Sequence, residues 1–162
     1  MQMQTLRIIA VGKIKDSWLR QGLAEYQKRL APMAKLQIIE LEEEKAPETL
    51  SAKEEDRLRE KEGERILRCI SGGEYSIALN LKGKNFSSPQ LAELLQQLGV
   101  KGFSTVNFII GGSIGLGQNV LQAADLHWCL SELTFPHQLC RVILAEQFYR
   151  AFSIQHNLPY HK

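Results

Sequence analysis

Gly111, Gly112, Gly115 and Gly117 follow directly on the apolar run Val106-Asn107-Phe108-Ile109-Ile110. Glycines at the end of a strand let backbone approach a ligand closely, because no Cβ stands in the way. Further on, Ser131-Glu132-Leu133-Thr134-Phe135-Pro136-His137 follows a second strand-like run and leads into a long apolar helix. Two loops of this size, each after a strand and with a helix between them, describe a binding site for a small molecule better than two passive turns. His137 and Arg141, four residues apart at the start of that helix, are expected to face outward beside the loop. Both are therefore candidates for the chemistry. The chain ends Leu158-Pro159-Tyr160-His161-Lys162. An aromatic ring, an imidazole and an amine are groups that stack on bases and pair with phosphates.

The same residues exclude several activities. A dinucleotide fingerprint fails: counted from Gly115, Gly117 is in place but Val120 stands where the third glycine is needed, and counted from Gly112 the second position is Ile114. No ribose-binding acid follows at the expected spacing, which argues further against a nucleotide-dependent oxidoreductase. Gly112 and Gly117 have the P-loop gap, but Gln118 replaces the lysine, so no cation is offered to a β- or γ-phosphate. His127, His137, His156 and His161 have no metal-ligand spacing, nor do Cys69, Cys129 and Cys140, and no metal is expected. No nucleophile elbow or Ser-His-Asp pattern can be assigned. Glu146 and Arg150, four apart, read as an ordinary helix-surface pair.

The elements that must position these groups alternate between strand and helix. Strands are expected at Leu6–Val11, Leu36–Leu41, Tyr75–Leu81, Val106–Ile110 and Leu126–Leu130. One helix follows Asp16, with Leu19, Leu23, Tyr26 and Leu30 on one face and Pro32 beyond it. Ser51 and Glu54 form a capping-box pattern ahead of the charged stretch Lys53–Arg68, which reads as a solvated helix face. Ser88-Pro89 opens a third helix, with Leu91, Leu94, Leu95 and Leu98 on one face and Gly99 closing it. Leu116–Ala124 and a last helix from Pro136 or its neighbour to about His156 complete the order. The last helix is apolar nearly all round, which favours a subunit interface as well as packing on the sheet. The fold class is α/β, with a mainly parallel sheet and helices on both faces.

At 162 residues and 44% apolar content the chain is expected to form one domain, residues 1–162, with a full hydrophobic core. A net charge of +2 does not by itself predict a nucleic-acid partner. Three cysteines without Cys-x-x-Cys spacing suggest reduced thiols in a cytoplasmic protein. No stretch has the length of a membrane span, and the start lacks the basic residues of a signal peptide.

Taken together, these segments closely resemble the RlmH family, ribosomal RNA large-subunit methyltransferases of the SPOUT class. The resemblance runs the whole length. It includes Ala10-Val11-Gly12-Lys13, Glu25–Leu30, Glu44-Lys45-Ala46-Pro47-Glu48, Glu62-Gly63-Glu64 and Leu81-Lys82-Gly83-Lys84. It continues through Ile110-Gly111-Gly112, Leu133–His137, Tyr149-Arg150-Ala151-Phe152 and the specific ending Pro159-Tyr160-His161-Lys162. The resemblance implies a cytoplasmic homodimer that transfers a methyl group from S-adenosylmethionine to N3 of a pseudouridine in 23S rRNA of assembled ribosomes. It also implies a trefoil knot in the carboxy-terminal part, which no periodicity reveals. Carried over by position, the cofactor contacts fall on Leu79, Gly111, Leu130, Ser131, Glu132, Leu133, Thr134 and Phe135. The proton at N3 has several candidate acceptors or stabilisers: His137, Arg141, Tyr160 and His161, with Lys162 beside them. Tyr160, His161 and Lys162 are also the RNA-binding candidates, the tail acting in its own subunit or in the partner's. A non-enzymatic ribosome-binding factor with a vestigial pocket is the alternative reading.

Overall fold

The computed structural model describes residues 3–162. Its elements are β1 (Thr5–Val11), α1 (Ser17–Leu30), β2 (Lys35–Leu41), α2 (Ala52–Arg68) and β3 (Tyr75–Lys84). They continue with α3 (Ser88–Val100), β4 (Thr105–Ile110), α4 (Gln118–Ala123), β5 (Leu126–Trp128) and α5 (His137–Gln155). The strands form one sheet in the order β2-β1-β4-β3-β5, and every pairing is parallel. Parallel strands buried on both faces read as continuous apolar runs rather than alternating ones. Leu6, Ile8 and Ala10 of β1 enter the larger core with α1, α3 and α5, while Ile9 and Val11 point to the opposite face, where α2 and α4 lie. Arg7 interrupts the run and is paid for by bonds to Gln37, Glu74 and Asn107 on the same side.

Several boundaries differ from the sequence reading, each for a local reason. β3 continues past Leu81 to Lys84, because the chain loops out and then re-pairs: Leu79 and Lys84 both partner Trp128. The capping box of α3 is built by Ser87 and Gln90, one residue earlier than Ser88, and the helix runs through Gly99 to Val100. α4 begins only at Gln118, and β5 is three residues long. The charged α2 is not merely solvated. Glu62 is 2% exposed and accepts from the Glu44 N–H, while Arg59 and Arg65 reach other segments. α5 ends in a Schellman turn: Asn157 takes a left-handed φ of 56°, and the Leu158 N–H returns to the Ser153 carbonyl.

Candidate functional site

β3 feeds α3 on one face of the sheet and its neighbour β4 feeds α4 on the other. A crevice therefore opens beyond their carboxyl ends, where ligands of open α/β sheets bind. A cleft of about 280 Å³ occupies this place, walled by the ends of β3, β4 and β5 and by the loops after them. Leu79, Gly111, Leu130, Ser131, Leu133, Thr134 and Phe135 line it, and so does His137. Glu132 is exposed and is not part of the wall. Sequence reasoning missed Asn80, Leu81, Trp128 and Cys140, which line it too. Burial pushes the Cys140 thiol above its ordinary range. Among the described residues, His137 and Cys140 are the ionisable side chains in a wall otherwise made of apolar groups, amides, hydroxyls and backbone.

The glycine loop folds tightly on itself before it meets any ligand. A Cβ at Gly111 would lie 2.8 Å from the Gly115 carbonyl carbon, and Gly115 holds a φ of 82° that other residues rarely adopt. The glycines therefore serve the loop's own close packing first and ligand approach second. Glu43, after β2, accepts from both the backbone N–H and the hydroxyl of Ser113. Those two bonds, backbone first, hold its carboxyl below the usual carboxylate range, with help from His137 and Lys15.

The looped-out segment of β3 builds the opposite wall. Asn80 is fixed by His127, whose Nε2 donates to the Leu121 carbonyl at 2.7 Å, leaving Nδ1 to accept from the Asn80 amide at 3.2 Å. Leu81 stands 69% exposed beside it. The signal was Lys82-Gly83-Lys84, since a glycine inside a strand pattern marks a bulge.

A family model described as "Predicted SPOUT methyltransferase" matches residues 3–161. The chain is 55% identical over 157 residues to the ribosomal RNA large subunit methyltransferase H of Alkaliphilus oremlandii, covering 97% of this chain and 99% of that one. Proteins of the same name from Clostridium acetobutylicum and Carboxydothermus hydrogenoformans are each 50% identical over 157 residues, with the same coverage. The chain belongs to the RlmH family of SPOUT methyltransferases. The fold is also shared with a probable methylase family protein of Haemophilus influenzae, at a TM-score of 0.52 and 13% identity over 99% of this chain and 72% of that one.

One expectation for this SPOUT methyltransferase needs correction. Arg141 does not face outward from α5 beside His137. It is 1% exposed, donates to Glu40 at 2.9 Å and to the Val11 carbonyl at 3.2 Å, and binds the ends of β1 and β2 from beneath. Burial lowers its pKa and the Glu40 carboxylate offsets part of that. It lines no part of the cleft. The tail is docked on its own α5. Tyr160 donates to Glu146 at 3.1 Å, its ring lies edge-on to Tyr149, and the Arg150 guanidinium sits 4.8 Å from its centroid. Arg150 also meets His161 Nδ1 at 3.1 Å. Glu146 and Arg150 are therefore a seat for the tail as well as a pair with each other. Tyr160, His161 and Lys162 stay out of their own chain's cleft. Arg150 lies thirteen residues beyond His137, roughly 20 Å along a helix. Among the described residues no three His, Cys, Asp or Glu side chains are grouped to hold a metal ion, and no helix is long and apolar enough to cross a membrane.

Proposed function

We propose that this SPOUT methyltransferase transfers a methyl group from S-adenosylmethionine to N3 of a pseudouridine in 23S rRNA of assembled ribosomes, as a cytoplasmic homodimer. The observation that carries the reading is the cleft beyond β3, β4 and β5, together with the names of the relatives, which are ribosomal RNA methyltransferases. Its walls fit the cofactor's chemistry: leucine side chains suit an adenine ring, and backbone at Gly111 and along Ser131–Phe135 offers hydrogen bonds. The proposed contacts are Leu79, Gly111, Leu130, Ser131, Leu133, Thr134 and Phe135, with Glu132 outside the wall.

When bound, S-adenosylmethionine would supply an electrophilic methyl group, carried on a positively charged sulfur that leaves as a neutral thioether. The protein's part is to align nucleophile and methyl carbon and to receive the N3 proton. His137, at the mouth of the cleft, is the proposed acceptor from the chain's own side. Tyr160, His161 and Lys162 are the proposed contributions of the second subunit, because each tail is seated far along its own α5. Arg141 is assigned to the frame beneath.

The dimer reading rests on apolar surface left along α1 and α5. Trp18 is 64% exposed, one helical turn from Gly22, which faces Val142, and Val142, Ile143 and Tyr149 are only half-buried. We extend the reading to a single domain over 1–162 whose carboxy-terminal part is threaded as a trefoil knot. The test pairs calorimetric titration of S-adenosylmethionine with single-turnover methylation of unmethylated ribosomes. Cofactor binding with methyl transfer to N3 is expected. Cofactor binding without transfer to any ribosome would favour a ribosome-binding factor, and no binding at all would overturn the reading.

A further inference from the structure

We infer that the segment Glu42-Glu43-Glu44 and helix α2 form a clamp that holds the glycine loop in its ligand-binding shape, with Glu43 and Arg59 as its two positioning residues. The inference rests on the cleft being the cofactor site, and it adds residues that do not line that cleft. The loop from Gly111 to Gly117 packs closely on itself, with the Gly115 N–H on the Gly112 carbonyl at 3.1 Å, but its outer residues Ser113 and Gly115 are exposed. A segment with four glycines in seven residues has many conformations to lose on ordering.

The restraints come from outside the loop. Glu43 Oε1 takes the Ser113 N–H at 3.1 Å and the Ser113 hydroxyl at 2.8 Å, across seventy residues of chain. On the other side, Arg59 Nη1 donates to the Ile114 carbonyl at 3.2 Å. The Asn119 amide, just past the loop, donates to the Glu60 carbonyl at 3.0 Å. Both positioning residues make charge-assisted bonds, the stronger kind.

The clamp is itself anchored. The buried Glu62 carboxylate accepts from the Glu44 N–H at 2.8 Å, and Arg65 holds both the Glu42 carbonyl and the Glu44 carboxylate. Lys15 and His137 face Glu43 with positive or titratable groups, and Glu62 lies behind it. A loop held before the ligand arrives loses less freedom on binding, so the clamp acts on affinity.

The test is calorimetric titration of S-adenosylmethionine and of its demethylated product with wild type, Glu43→Ala, Glu43→Gln and Arg59→Ala. Hydrogen exchange of residues 111–116 is followed in the same samples. Each alanine variant is expected to weaken both ligands by a similar factor, about tenfold. Loop amides should exchange faster, and the KM for the cofactor should rise more than kcat falls. Glu43→Gln, which keeps a neutral acceptor and is the variant to use if Glu43→Ala does not fold, is expected to recover part of the affinity. Wild-type binding with both alanine variants inside twofold of it, or loop exchange unchanged, overturns the clamp. Failure of the wild type to bind overturns the cofactor reading instead.

Discussion

His137 and Arg141 leave α5 one turn apart, yet one opens on the cleft while the other closes the frame under it. Replacing Arg141 with alanine strands the Glu40 carboxylate, which would keep only the Ile14 N–H and the exposed Arg20. The expected loss is about 3–5 kcal/mol of stability, read by urea denaturation. A folded, stable Arg141→Ala variant with no turnover would return Arg141 to the chemistry. Gly111→Val is expected to abolish S-adenosylmethionine binding by pushing the Gly115 backbone aside, with the far-UV spectrum unchanged. Retained calorimetric affinity would count against the loop. Glu43 gives a pH signature. Its carboxyl is depressed in the folded protein, so the clamp is fully present above the ordinary carboxylate range and is lost as pH falls through the depressed value. Cofactor affinity should fall for wild type only as pH drops below the ordinary carboxylate range, and that component should be lost in Glu43→Gln. The glycine loop was legible because strand-end glycines carry a local meaning, and the Ser131–Phe135 loop because it joins a strand-like run to a long apolar helix. Arg141 was not, because its partner lies 101 residues away on β2.

α5 was read correctly as an apolar helix ending at about His156, while the seat of the tail after it went unread. Nothing in Leu158–Lys162 announces that Glu146, Arg150 and Tyr149 will form its seat, since those residues also suit an exposed helix face. Deleting residues 158–162 is expected to remove methylation of ribosomes while S-adenosylmethionine affinity changes little. Normal single-turnover rates would show the tail to be dispensable. Burial first, then Tyr26 and Glu146, push the Tyr160 hydroxyl up to about 12. The seated form is therefore fully present below the ordinary tyrosine range and lost as pH rises through about 12. α2 gives the opposite lesson. Its charge run has the composition of a solvated helix, and composition cannot tell which of its charges will meet another segment.

For the whole molecule, strand-helix alternation was enough to give the parallel α/β class, while strand order was beyond reach. A sheet ordered β2-β1-β4-β3-β5 depends on which edges accept later strands, a decision made by pairings some hundred residues apart. Assembly is tested with Ile143→Glu. Light scattering should find wild type at about twice the 18.4 kDa chain mass and the variant monomeric or insoluble, because a carboxylate at a closed interface costs several kcal/mol. A fully active wild-type monomer would refute the interface. The strand order also constrains how the chain comes into being. β4 is the fourth strand made, yet it sits at the centre of the sheet with β1 on one side and β3 on the other. During synthesis β1 and β2 can pair early, but the inner edge of β1 stays unmatched until residue 110 has emerged. More than half the polypeptide must wait, with Leu6, Ile8 and Ala10 without their final neighbours, for one six-residue strand to slot into place. Maturation should consequently be slow, governed by chain closure over long separations, and the half-made product should be the species most dependent on chaperones.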